Sequence, residues 1–262
     1  MEFLVSFAGV ALNEHRMNPT IDFRQNEGKR TGTVTRRLIL ATLAEAVVVL
    51  LAGLNLSLHF PAQPVGSFSL VRWREIFSLL VIVPASAGIM FQIVWILEQG
   101  RRDAKWPIMI FVVCAGLLGI SMGVHEPISA LPYKRLPELE FWDELFSHAV
   151  FYLGFVGISL ALLWSQMRNP LPAAMSRWNT AVFGCIAIMG GAGIFLSLSA
   201  GGTTGVDLTV AALILFAAEL MRKGRPMRQL PLAMAIEWSC LLAVLGLMAL
   251  RFLSGQWGAR FF

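Results

Sequence analysis

Long apolar runs alternate with short polar segments along the whole chain. Seven of these runs contain 18 to 25 residues each and carry few charges, at 38–60, 75–97, 106–125, 141–165, 179–199, 204–221 and 230–251. A helix needs about 20 mostly apolar residues to cross a bilayer, whereas strands of a membrane barrel would show shorter stretches of alternating apolar and polar residues. The pattern therefore predicts an all-α, polytopic integral membrane helix bundle with seven transmembrane helices.

The seven runs divide the chain into one membrane domain and two tails. Residues 38–251 are predicted to form the transmembrane domain, residues 1–37 a cytoplasmic N-terminal tail, and residues 252–262 a short outer tail. Within the first tail, the apolar stretch 2–12 is too short to span a bilayer, and no positively charged region precedes it as in a secretory signal. We expect this stretch to lie in the membrane interface or against the bundle.

Composition supports lipid as the solvent of this chain. Apolar residues make up 56% of its 262 residues and charged residues only 14%, compared with about 25% charged in an ordinary soluble domain. The net charge of +5 comes from basic residues placed between the apolar runs. That placement is typical of membrane topology and of contact with anionic lipid, so we expect no nucleic-acid partner.

The distribution of basic residues predicts the orientation of the bundle. With the N-terminus in the cytoplasm, 15 of the 21 Lys and Arg residues fall in cytoplasmic segments and six in outer segments. This asymmetry follows the positive-inside rule, and seven of the eight tryptophans lie near predicted helix ends, as interfacial anchors do. The prediction is an N-terminus inside and a C-terminus outside, in a bacterial inner membrane.

Three of the four histidines map to the outer side of the predicted bundle. His59 ends the first helix, His125 ends the third, and His148 lies within the fourth. Three carboxylates accompany them in the sequence, namely Glu126, Asp143 and Glu144. If the first, third and fourth helices pack together, we expect these side chains to converge near the outer surface.

Imidazole and carboxylate groups are the usual ligands of Zn, Fe and Cu in proteins. The sequence therefore suggests an integral membrane metalloprotein whose ligands are His59, His125 and His148. A carboxylate of the same group would be a further ligand or a general base in redox or metal-assisted hydrolytic chemistry. The alternative interpretation is that these polar residues of an outer loop and of helix ends meet only water and headgroups.

Two further carboxylates, Glu45 and Glu237, fall inside the first and seventh apolar runs. A carboxyl group at that depth is protonated, paired or faces water. A proton- or cation-coupled transporter is therefore a second functional hypothesis, with Glu45 and Glu237 as proton or ion carriers. The short loops are compatible with a third one, a non-catalytic subunit of a larger membrane complex, whose partners are other subunits or further copies of this chain.

Glycines and a proline predict how the helices pack and bend. Gly119 and Gly123 form a GxxxG pair, and 190–193 is rich in glycine, both of which favour close helix packing in lipid. Pro84 interrupts the second run and predicts a kink there.

Overall fold

The computed structural model describes residues 19–99, 101, 103–129, 131, 136–200, 204–222 and 224–253. This part of the chain is almost entirely helical. Its longer helices are α1 (Pro19–Ser57), α3 (Val83–Glu98), α4 (Lys105–Ser129), α6 (Ser147–Arg168), α7 (Arg177–Ala200), α8 (Thr204–Arg222) and α9 (Pro231–Leu253). Its shorter helices are α2 (Trp73–Phe77) and α5 (Pro137–Glu140), with 3₁₀ turns at Phe60–Ala62 and Met227–Gln229.

Two π-helical segments join short helices to long ones. The segment π1 (Ser78–Ile82) links α2 to α3, and π2 (Phe141–Phe146) links α5 to α6. Pro84 explains π1, because proline has no backbone N–H to donate to the carbonyl of the preceding helical turn. The Val83 N–H bonds to the Ser78 carbonyl, five residues back. The predicted kink at Pro84 thus takes the form of a locally widened helix.

Six helical stretches of the described chain are long and apolar enough to cross a membrane. They are Gly32–Ser57, Trp73–Glu98, Lys105–Ser129, Pro137–Arg168, Arg177–Ser199 and Pro231–Leu253. Each matches one of the predicted apolar runs, so the prediction of an all-α integral membrane bundle is confirmed. The predicted run 204–221 also forms a helix, α8, but it is not among these six.

The first helix begins earlier than the hydropathy pattern indicated. α1 starts at Pro19, a residue suited to the first helical position because its missing N–H has no intrahelical partner there. Residues 19–37 of the expected polar tail therefore continue the first spanning helix without a break. The stretch 2–12 and the end of the outer tail at 254–262 lie outside the described residues.

Glycines allow two pairs of helices to approach closely. A Cβ atom on Gly193 of α7 would lie 2.5 Å from the Val49 carbonyl oxygen of α1, and one on Gly154 of α6 would lie 2.8 Å from the Cys114 carbonyl oxygen of α4. By contrast, a Cβ atom on Gly119 or Gly123 would meet no atom within 4 Å. The α4–α6 contact therefore uses the glycine of α6, and the GxxxG pair of α4 makes no close approach in the described structure.

A small hairpin covers the outer connection between α1 and α2. Its strands are β1 (Pro64–Val65) and β2 (Phe68–Arg72), and they pair antiparallel. Gly66 in the turn has a φ of 58°, a conformation that glycine adopts without steric cost. The hairpin ends where α2 begins, and so it places Arg72, Arg74 and Glu75 at the same end of the bundle as the end of α1.

Candidate functional site

The C-terminal end of α4 and the segment π2 bring one histidine against one aspartate. His125 Nδ1 lies 2.9 Å from Asp143 Oδ1. The same nitrogen also lies 3.4 Å from the Asp143 carbonyl oxygen and 3.5 Å from the Ser147 hydroxyl. Asp143 is only 3% exposed, so its carboxylate faces the ring from inside the protein. Because a carboxylate and a carbonyl only accept hydrogen bonds, these oxygens favour the His125 tautomer that carries its proton on Nδ1.

His148 also has its Nδ1 against a protein oxygen, but the partner is Glu144. His148 Nδ1 lies 2.7 Å from the Glu144 carbonyl oxygen, one turn earlier, and 3.9 Å from the Glu144 carboxylate. The nearer oxygen can only accept, so this Nδ1 also carries the proton. In the neutral state of both rings, Nε2 then holds an unshared electron pair.

The two imidazole rings are direct neighbours. The centroids of His125 and His148 are 5.1 Å apart with an interplanar angle of 62°, and both side chains remain about one-third exposed. In the described part of the chain, no hydrogen bond or ion pair uses Nε2 of either ring. Both rings thus have an Nε2 without a protein partner in the described part of the chain, and this is the nitrogen that can bind a metal or accept a proton.

Two buried serines fix the backbone beneath the histidines. The Ser121 hydroxyl, one turn before His125, donates to the Ser147 carbonyl oxygen at 2.7 Å, and the Ser147 hydroxyl donates to the Asp143 carbonyl oxygen. Both serines are 1% exposed. They tie α4 to π2 and thereby hold the His125–Asp143 contact. Sequence reasoning missed them, although Ser121 shares a helix face with His125 and Ser147 precedes His148.

Glu126 faces a different neighbour from the histidine beside it. It is buried, with Ser78 of π1 as a hydrogen-bond partner and Glu75 and Arg74 as charged neighbours. The Asn55 amide of α1 in turn donates to the Ser78 hydroxyl at 3.2 Å and to the Arg74 carbonyl oxygen at 2.9 Å. Glu126 therefore belongs to a polar network that joins α1, α2 and α4, next to the histidine pair.

His59 lies apart from the other two histidines. α1 ends at Ser57, and His59 follows in an exposed turn before the hairpin. Among the described residues, no hydrogen bond, ion pair or ring contact links its imidazole to His125 or His148. The structure therefore brings His125 and His148 together but shows no contact of His59 with either of them in the described part of the chain.

A partly open cleft lies beside the histidine pair. It has a volume of about 150 Å³ and is lined by Ile128, Leu139, Glu140, Asp143 and Glu144. Glu144 is exposed, whereas Asp143 forms the buried wall. The cleft thus offers a carboxylate-rich space next to His125.

The histidine pair lacks a third ligand of the usual kind. Within the part of the chain that the structure describes, no group of three or more His, Cys, Asp or Glu side chains is arranged to hold a metal ion. What the structure does bring together is His125, His148 and Asp143, with Glu144 at their edge.

The two carboxylates inside the membrane have separate surroundings. Glu45 of α1 accepts a hydrogen bond from the Ser86 hydroxyl of α3 at 2.5 Å. Glu237 of α9 has Arg222 and Glu219 of α8 as charged neighbours, and those two form an ion pair at 2.5 Å. No hydrogen bond or ion pair connects Glu45 with Glu237 in the described structure.

An ion-pair cluster lies at the opposite end of the bundle. Asp103, in the connection between α3 and α4, pairs with Arg101 at 3.2 Å and with Arg168 at the end of α6. The Arg101 guanidinium also donates to the Arg168 carbonyl oxygen and to the Asn169 side chain. Hydrogen bonding from Arg101, with the charge of Arg168, lowers the pKa of Asp103 below its usual value. These contacts fasten the α3–α4 connection to α6.

Comparison with known proteins identifies no relative of this chain. No protein-family model, no curated protein and no solved structure matches it. The function of this chain therefore cannot be inferred from a relative.

Proposed function

We propose that this chain is an integral membrane metalloprotein that binds one transition-metal ion, Cu, Zn or Fe, at its outer end through His125 and His148. The observation that supports this most is that two adjacent imidazoles each engage Nδ1 with a protein oxygen. Metal-binding histidines commonly have this arrangement, since an oxygen acceptor on the second nitrogen fixes the tautomer and leaves Nε2 for the metal. Asp143 would be the orienting carboxylate of His125.

The separation of the rings agrees with a shared metal ion. A metal–nitrogen bond is about 2.0–2.1 Å long, and the ring centre lies about 1.2 Å beyond Nε2. Two imidazoles at a tetrahedral angle would thus have centres about 5 Å apart, close to the 5.1 Å between His125 and His148.

The site would keep coordination positions open for catalysis. Two protein ligands leave room for water or substrate, which is the condition for Lewis-acid, hydrolytic or redox chemistry at a metal. Glu144 borders the cleft and is exposed, so it would act as a general base or an added ligand. Glu126 has His125 as a charged neighbour and Ser78 as a hydrogen-bond partner, and it would tune the charge at the site through them.

The proposal includes seven membrane crossings with the C-terminus outside. α8 has 19 residues, or about 28 Å of helix, close to the roughly 30 Å of the hydrocarbon core. One face of α8 is buried, with Val210, Ile214 and Ala218, and the other exposes Leu213, Phe216 and Leu220, as in a lipid-facing helix. The excess of Lys and Arg in the segments on one side favours a cytoplasmic N-terminus in a bacterial inner membrane.

Metal analysis of the purified chain tests the proposal. Wild-type protein in detergent, loaded separately with Zn²⁺, Cu²⁺ or Fe²⁺ and desalted, is expected to retain about one equivalent of at least one metal. His125→Ala combined with His148→Ala should lose it, while His59→Ala should keep it. All variants must elute as monodisperse protein. Retention by the double variant, or no metal in the wild type, would reject the proposal and favour a role as a subunit without a metal.

A further inference from the structure

A separate polar group lies between α1 and α3, away from the histidine pair. Its centre is Glu45, whose Oε1 accepts a hydrogen bond from the Ser86 hydroxyl at 2.5 Å. Glu45 lies within the span Gly32–Ser57, about 12 Å of helix beyond Arg37 and about 18 Å before Ser57. Water therefore cannot reach this carboxyl group from either surface without a path through the protein.

Two oxygens of this group have no hydrogen-bond partner. Glu45 Oε2 and Thr42 Oγ1 are both buried and unpartnered in the described structure. Thr42 is 6% exposed and precedes Glu45 by three residues, a spacing that places both side chains on one face of α1. Polar groups buried in a protein are normally paired, so two unpaired oxygens on the same face of one helix are candidates to share a proton.

No described charge compensates Glu45. Among the described residues, its environment consists of apolar surroundings and the Ser86 hydroxyl, with no charged neighbour. The charged residues of α1 and of the helices packed against it lie towards the helix ends, at Asp22, Arg24, Glu27, Lys29, Arg30, Arg36, Arg37, Arg74, Glu75, Glu98 and Arg177. An ionised carboxylate in the apolar interior without a cation is strongly unfavourable.

We propose that Glu45 is a proton-binding site inside the membrane, built with the hydroxyl groups of Thr42 and Ser86. With the proton on Oε2, the carboxylic acid donates to Thr42 Oγ1, while Oε1 accepts from Ser86. After the proton leaves, both hydroxyls donate to the carboxylate. The same three side chains thus satisfy each other in both protonation states, as an exchangeable proton site requires.

A proton suits this site better than a metal cation. Hard cations such as Ca²⁺ take six to eight oxygen ligands, and Mg²⁺ takes six, whereas Glu45, Thr42 and Ser86 together supply four side-chain oxygens. The site shares no residue with the proposed metal centre, so either of the two proposals can fail alone.

Carbodiimide labelling tests the proton site, because dicyclohexylcarbodiimide reacts with protonated carboxyl groups in apolar surroundings. The purified full chain in detergent is labelled from about pH 5 to about pH 9, and each carboxyl group is quantified by peptide mass spectrometry. Label on Glu45 is expected at acidic pH and should fall several-fold as the pH rises. Glu45→Gln should remove it, and the control Glu237→Gln should leave it unchanged.

The hydroxyl groups give a second readout. Thr42→Val and Ser86→Ala each remove a donor to the carboxylate, so the labelling midpoint should move to higher pH in both variants. Absence of label at every pH, labelling that ignores pH, or midpoints unchanged in both hydroxyl variants would overturn the proposal. Protection by NaCl but not by choline chloride at constant pH would also overturn it, in favour of a sodium site.

Discussion

His125 on α4 and Asp143 on π2 meet across the outer end of the bundle, with 2.9 Å between Nδ1 and Oδ1. The aspartate is buried and the ring is partly exposed. The carboxylate can therefore orient the imidazole from behind while its other nitrogen remains accessible.

Asp143→Asn should weaken metal binding without abolishing it. The amide preserves the size of the side chain but lacks the charge, and loss of such a supporting carboxylate costs about 10–100-fold in metal affinity. Competition with a chelator of known affinity measures the change. Glu138→Gln is the control, since that carboxylate of α5 is exposed and does not line the cleft. Equal affinity in wild type and Asp143→Asn would contradict this role.

Gly193→Leu should destabilise the bundle by separating α1 from α7. Any Cβ at this position meets the Val49 carbonyl oxygen at 2.5 Å, and overpacking of this kind costs about 1–3 kcal/mol. Thermal unfolding in detergent, followed by loss of monodisperse protein, should occur at a lower temperature. Gly119→Leu is the matched control, because a Cβ there meets nothing within 4 Å. Equal melting temperatures of the two variants would contradict this prediction.

Reporter fusions should place Arg228 and the C-terminus on opposite sides of the membrane. Alkaline phosphatase fused after Phe262 should be active, since that enzyme folds outside the cytoplasm, whereas a fusion after Arg228 should be inactive. A fluorescent protein that matures only in the cytoplasm should give the reverse pattern. If α8 does not cross, the seven-span topology fails and the pattern inverts, with the Arg228 fusion active and the Phe262 fusion inactive, because α9 still separates the two sites.

The Asp103 cluster should add an acid-dependent part to stability. Its pKa is lower in the folded protein than in the unfolded chain, so its contribution is present above the unfolded value. That contribution is lost as the pH falls through the folded pKa. Because Asp103 is fully exposed to solvent, the effect should be small and should decrease with salt. The melting temperature of Asp103→Asn should fall less at acidic pH than that of the wild type. An equal fall in both proteins would show that Asp103 does not cause the acid dependence.

The spanning helices were predictable because lipid imposes a long continuous apolar run on each of them. The start of α1 at Pro19 was not predictable from the sequence. Its first residues are polar, and hydropathy detects only the apolar part of a helix that crosses the membrane. Neither π1 nor π2 leaves a mark in the hydropathy pattern, although Pro84 indicated a distortion near π1.

The candidate site was predictable only where two helices had to be neighbours. His125 and Asp143 come together because they flank one short outer connection between α4 and α6. His59 depends on the direction in which the chain leaves α1, which its sequence spacing does not specify. Ser78 and Ser86 were overlooked because a lone serine in an apolar run carries little signal until its partner across the interface is known.

The wide turn π2 contains one more residue than an α-helix of the same length would need. Deleting a single residue from it would rewind this stretch as an ordinary helix and rotate everything upstream by about 100° relative to α6. Deletion of Leu145 would thereby turn the Asp143 carboxylate away from the imidazole of α4, although no ligand had been altered. The length of this one turn, counted in residues, is thus as decisive for the outer site as the identity of the histidines themselves.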